Sequence, residues 1–133
     1  LRPQIEEKIK QLGLINSVKI FGMVDNTGEL YQAMDVMVMP SLFEGLPMTG
    51  VEAQACGLPC VFSDTITREV DVMGSPFLSL EESKAEWAKT AVRAGRYKES
   101  GKARRSFGKE LAEYGFDIRV EAERLEEMYV GMM

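Results

Sequence analysis

The chain has 133 residues, 45% of them hydrophobic, and sets 16 Lys and Arg against 21 Asp and Glu for a net charge of −5. That length and apolar content suit one soluble domain with a real core, and the acidic balance disfavours a general nucleic-acid or anionic-membrane surface. The apolar stretches are too short to cross a bilayer, and no charged-then-apolar leader precedes a small-residue cleavage site, so a cytoplasmic location is expected.

In chain order, Ile5, Ile9 and Leu12 repeat at helical spacing, with Glu6 and Glu7 early and Lys8 and Lys10 late, which predicts an amphipathic helix over 3–12 ending near Gly13. Residues 18–21 read as a strand and 22–28 as a polar turn. A short helix over 29–34 follows, then a strand over 36–39 that Pro40 stops. Residues 49–56 predict the next helix and 60–63 a third strand. A fourth strand is expected over 77–80, after the loop containing Arg68 and Glu69. The runs at 37–39 and 60–62 are apolar without alternation, as in strands covered on both faces of a parallel sheet. Beyond residue 82 the pattern is helical. Ser83 and Glu86 have capping-box spacing, Trp87, Ala91 and Ala94 line one face, and Phe107, Leu111 and Tyr114 mark a further helix. Asp117 can cap a last helix with the stripe Ile118, Ala122, Leu125 and Tyr129. The alternation argues for βαβ units in an α/β, Rossmann-like parallel sheet of about four strands with flanking helices.

The loop between the strands at 36–39 and 60–63 should lie at a strand's carboxyl end, where open α/β sheets bind ligands. The helix that follows it offers unpaired N–H groups to a phosphate. This loop and helix hold Glu44 and Glu52. By spacing alone, Ser41 with Glu44 and Thr49 with Glu52 also read as capping boxes, which need no ligand. Cys56 and Cys60, in a chain without histidine, read as two small buried thiols rather than metal ligands, so no metal is expected. The missing imidazole also removes histidine-based triads and histidine phosphotransfer from this chain. Lys102, Arg104, Arg105 and Lys109 read as the solvated face of a helical stripe, with an anionic-lipid contact at the inner face of the membrane as the minority reading. Arg68 and Glu69 read as a surface ion pair.

The segments PSLFEGLP and EAQACGLPCV, the earlier pair VKIFG then DVMVMPS, and Glu44 and Glu52 with seven residues between them resemble retaining glycosyltransferase family 4. The resemblance covers nearly the whole chain, in order and spacing. It implies the GT-B fold, two Rossmann-like domains facing a cleft, of which this chain is most of the carboxyl-terminal, donor-binding one. On matching positions, Glu44 resembles the catalytic-site glutamate that contacts donor-sugar hydroxyls, and Glu52 the one that accepts hydrogen bonds from the ribose. Gly45, Leu46, Pro47, Met48 and Thr49 resemble the segment whose backbone approaches sugar and diphosphate. Val24 resembles the place where backbone groups meet the base. The partners so implied are a nucleotide-diphosphate sugar, uridine-linked, and an acceptor the residues do not specify. No further cofactor is implied.

The chain opens on a helix that would normally cross over between two strands, so it reads as a partial domain. The resemblance implies that two central strands, a basic loop and the amino-terminal domain of the same protein lie elsewhere, and the isolated chain is expected to transfer no sugar. Two other classes are weighed beside this one. A non-catalytic glycosyltransferase-like binding or assembly module would keep the shape without the chemistry. A receiver-like domain would want an aspartate at the strand end where Pro40 and Ser41 stand.

Overall fold

The computed structural model describes residues 1–96 and 104–132. Among them, three short parallel strands form one sheet in the order β1-β2-β3: β1 (Met37–Met39), β2 (Cys60–Ser63) and β3 (Phe77–Leu78). The helices are α1 (Arg2–Gln11), α2 (Thr27–Ala33), α3 (Met48–Ala55), α4 (Lys84–Gly95), α5 (Gly108–Glu113) and α6 (Ile118–Val130), with a 3-10 turn (Arg68–Val70) between β2 and β3.

Parallel neighbours need a crossover, and α3 supplies it between β1 and β2. The register sets Met37 beside Cys60 and Met39 beside Phe62, then Phe62 beside Phe77. The last two rings lie tilted with centroids 5.3 Å apart, a favourable aromatic arrangement. All four residues of β2 are buried, so this strand is covered on both faces, as its unbroken apolar run predicts. Tyr31, Val51, Ala53, Leu58, Phe62, Ile66, Val70 and Leu111 make the centre of the core.

Close approach of α3 to the sheet rests on Gly50. A Cβ there would lie 3.0 Å from Phe62 Cε1 and from Val70 Cγ2. Gln54, on the same helix, is fully buried and fully engaged. Its Nε2 donates to the carbonyls of Gly50 at 3.0 Å and Val70 at 2.6 Å, and its Oε1 accepts from the Val72 N–H at 2.9 Å. A buried amide so satisfied fastens α3 to the turn after β2. At the far end of α3, Gly57 takes φ +68°, and a Cβ there would sit 2.0 Å from the Arg105 carbonyl oxygen.

Several sequence expectations need correction. The sheet has three strands among the described residues, because 18–21 is not one of them. Its apolar residues are there, but the Val18 N–H turns back to the Leu14 carbonyl at 2.9 Å, and no neighbouring strand offers a ladder. Val18, Ile20 and Phe21 consequently stay exposed. β3 also stops at Leu78, two residues short of the expectation. The stripe on α6 is real as a pattern but buries nothing: Ile118 is 80% and Tyr129 63% exposed. Both ends of the expected α4 pattern hold, with the Ser83 hydroxyl accepting from the Glu86 N–H at 3.2 Å and Trp87, Ala91 and Ala94 on the inner side.

The basic cluster is corrected more sharply. Arg104 is not a solvated charge. Its Nε donates to the Cys56 carbonyl at 2.9 Å, and its Nη1 to Gln32 and Met34 at 3.1 and 2.9 Å. Its Nη2 donates to the Tyr31 carbonyl. One guanidinium thereby serves the carboxyl ends of both α2 and α3, whose last carbonyls have no partner within their own helices. Arg105 pairs with Glu110 at 2.5 Å and lies over the Phe107 ring. Lys102 falls outside the described residues.

Candidate functional site

The loop over 40–47 leaves β1 at its carboxyl end, beside the end of β2. What fixes it there is the carbonyl of Ser41, which accepts from the hydroxyls of Ser63 and Thr65, both at 2.6 Å. Ser63 is buried at the end of β2, so the loop is anchored to the interior of the sheet. From that fixed point the Ser41 hydroxyl donates to Glu44 Oε1 at 3.1 Å. This is a contact between two side chains in a loop, not a capping box, because no helix starts at Ser41.

The second capping-box reading also falls. Pro47 is the residue before α3, no side chain caps the helix, and Thr49 already lies within it. Glu52 is instead an exposed residue midway along α3, and its Oε2 accepts from the Tyr31 hydroxyl of α2 at 3.1 Å. Each of the two glutamates is therefore held through one carboxylate oxygen by a single hydroxyl, leaving acceptor capacity on the other. Tyr31 is only 7% exposed; burial raises its pKa, and the carboxylate of Glu52 adds to the effect. The hydroxyl is thus kept protonated, as a donor to Glu52 must be.

The remaining predicted positions fall into two groups. Gly45, Leu46, Met48 and Thr49 are exposed, and a Cβ on Gly45 would meet nothing. Pro47 is buried, and its carbonyl takes the Gly50 and Val51 N–H groups. The start of α3 carries no acidic side chain in its first turn, so its leading amides are free of a competing carboxylate there. Val24 is exposed two residues before Asn26, whose side chain accepts from the Glu29 N–H at the start of α2. No hydrogen bond among the described residues joins Val24 to either glutamate. Arg68 stacks over the Phe77 ring, 3.8 Å from its centroid, rather than pairing with Glu69. Cys60 is buried with its thiol pushed up to about 12, as a packing thiol would be. No three potential metal-ligating side chains converge among the described residues.

Residues 1–95 match the protein family described as Glycosyl transferases group 1. The chain belongs to that family. As a group 1 glycosyltransferase sequence it is 45% identical over 119 residues to the putative glycosyltransferase EpsF of Bacillus subtilis, a match covering 87% of this chain and 30% of that protein. It is 38% identical over 53 residues to an Escherichia coli UDP-Gal:alpha-D-GlcNAc-diphosphoundecaprenol alpha-1,3-galactosyltransferase, 40% of this chain and 14% of the relative. It is also 38% identical over 60 residues to the mannosylfructose-phosphate synthase of Agrobacterium fabrum, 44% of this chain and 13% of the relative. The chain spans less than a third of the length of these curated relatives. No described helix is long and apolar enough to cross a membrane.

Reasoning from sequence paired Ser41 with Glu44 only as a capping box, and missed Tyr31 and the Ser63 and Thr65 pair. Two hydroxyl residues at a strand's carboxyl end, SDT after VF, were the available signal for the last of these. Tyr31 is an aromatic in a short helix and carried none.

Proposed function

We propose that this chain is the donor-binding part of a retaining GT-B glycosyltransferase of family 4, moving a hexose from a nucleotide-diphosphate sugar to an acceptor hydroxyl in glycan or glycolipid synthesis. The observation that carries this reading is the pair Glu44 and Glu52, one in the loop and one on the helix after β1, each fixed by a hydroxyl in a chain of the group 1 family. In this reading Glu44 faces the sugar hydroxyls and Glu52 the ribose diol. A carboxylate accepts both members of a diol, through charge-assisted bonds about twice as strong as neutral ones. Gly45 to Thr49 lie along sugar and diphosphate, with Val24 beside the base. The leading amides of α3 help to offset the charge that develops on the leaving diphosphate, without a metal ion. A uridine donor is favoured by the E. coli relative, whose name specifies UDP-Gal.

The matching part of EpsF is 30% of that protein. A separate amino-terminal domain would then supply the acceptor side, and the isolated chain would turn over no donor. The test is a transfer assay on the full-length protein with UDP-glucose and UDP-galactose, reading the anomeric configuration of the product. Retained configuration, with activity lost in Glu44→Gln and absent from the isolated chain, supports the proposal. Inverted product, or undiminished transfer by Glu44→Gln, overturns it, and a folded full-length protein inert to every nucleotide sugar favours a non-catalytic module.

A further inference from the structure

Glu52 stands on an exposed helix face, where a glutamate side chain samples many rotamers. Here it does not stand free. The hydroxyl of Tyr31 reaches it from α2, 21 residues earlier in the chain, at 3.1 Å. The Tyr31 ring is buried in the core, so the hydroxyl is delivered from a fixed point. Its backbone is fixed as well: Arg104 donates to the Tyr31 carbonyl and, through Nε, to the carbonyl of Cys56, the residue that ends α3 four positions beyond Glu52. A single guanidinium therefore ties the turn of α2 that carries Tyr31 to the end of the helix that carries Glu52. The Tyr31 hydroxyl occupies Oε2 and leaves Oε1 open.

We propose that Tyr31 is a positioning residue for nucleotide recognition: it holds the Glu52 carboxylate in the rotamer that accepts the ribose hydroxyls, and so sets the protein's preference for a ribonucleotide with both hydroxyls present. This rests on the ribose role proposed above for Glu52. Orienting the carboxylate before the ligand arrives removes an ordering penalty at binding, and the persistent donor keeps one oxygen from turning away from the cleft. A tyrosine whose work was only to fill the core would contribute equally to every ligand, or to none.

The test is a calorimetric titration of the full-length protein with UDP and with 2′,3′-dideoxy-UDP, on wild type, Tyr31→Phe, Glu52→Gln and the double variant. Phenylalanine keeps the buried ring and removes the hydroxyl alone. The expected result is a loss of UDP affinity on the order of tenfold in Tyr31→Phe, no change for the dideoxy nucleotide, and no further loss when Tyr31→Phe is added to Glu52→Gln. Equal weakening of both nucleotides, or UDP binding as tight as wild type, would overturn the inference. If Tyr31→Phe melts too low to titrate, the hydroxyl's role is structural and the inference also fails. Should Glu52→Gln bind both nucleotides as wild type does, the ribose role of Glu52 itself fails. A UDP-selective loss in Glu52→Gln with Tyr31→Phe silent removes the positioning role alone.

Discussion

Glu44 and Glu52 differ in how the chain holds them, and the difference predicts what their neighbours do when altered. Glu44 depends on Ser41, whose carbonyl is clamped from β2 while its hydroxyl reaches the carboxylate. Ser41→Ala leaves the clamp and removes the hydroxyl. If Glu44 has the donor-site role proposed above, loss of this hydrogen bond to a charged group is expected to cost on the order of 1–2 kcal/mol of transition-state stabilisation in the full-length protein, a roughly five- to thirtyfold fall in kcat, with thermal stability nearly unchanged; steady-state kinetics and a melt on the same full-length preparation check both. Cys60 illustrates the opposite case, a residue with reactive chemistry and no access to it. Its side chain is buried and its Sγ donates to the Leu58 carbonyl at 3.3 Å. Alkylation at pH 8 should leave Cys60 unmodified in the native protein and modify it on unfolding in urea, as peptide mapping would show.

At the scale of elements, the loop–helix unit between β1 and β2 is held at both ends by residues distant in sequence. Arg104 serves carbonyls at the ends of α2 and α3 and leaves them bare when removed. Arg104→Met is expected to lower the unfolding free energy by about 2–3 kcal/mol, read as a lower urea midpoint at constant slope. Gly50→Ala presses a methyl against Phe62 and Val70 at 3.0 Å and should destabilise by about 1–3 kcal/mol by the same measurement. The elements themselves were legible wherever local signals sufficed. The apolar runs of β1 and β2, Pro40 after β1, and Ser83 and Asp117 as caps all place elements to within a residue or two. What was not legible depends on distant partners. Nothing in the sequence around Arg104 says that two helix ends 22 residues apart need it. Likewise, residues 18–21 have the composition of a strand, but a strand exists only beside another. The glutamate pair was readable from spacing and context, and so was the nearness of Ser41 to Glu44; the Tyr31 hydroxyl on Glu52 was not, because that contact joins residues that only the fold brings together.

Over the whole molecule, the core is concentrated around β2, α3 and the turn at Arg68–Val70, while α1 and α6 bury no residue. Stability should therefore follow the ionisable groups inside that core. Burial raises the Cys60 thiol from 9.0 to about 12 and moves Tyr31 upward from 10.0. Both groups are neutral when protonated, and in the unfolded chain both lose the proton at lower pH than in the fold. Their stabilising contribution is complete below about pH 9. The Cys60 contribution is lost as pH rises from about 9 toward 12, at up to about 1.4 kcal/mol per pH unit while only the unfolded form ionises, and the Tyr31 contribution begins to fall above its ordinary 10.0. Urea midpoints should hold steady from pH 7 to 8.5 and fall progressively above pH 9, and Cys60→Ala, after allowance for its cavity, should shallow that fall.

The most direct measurement is the thermal stability of this chain with UDP, GDP and ADP, repeated on Glu52→Gln. A donor site of the kind proposed gives a base-selective rise in melting temperature, about 2.7 kcal/mol of stabilisation at a hundredfold excess over the dissociation constant, and the rise disappears in Glu52→Gln. A cooperatively melting chain that no nucleotide stabilises, or one that each nucleotide stabilises equally in both proteins, would contradict a donor-binding role for Glu52 in this chain.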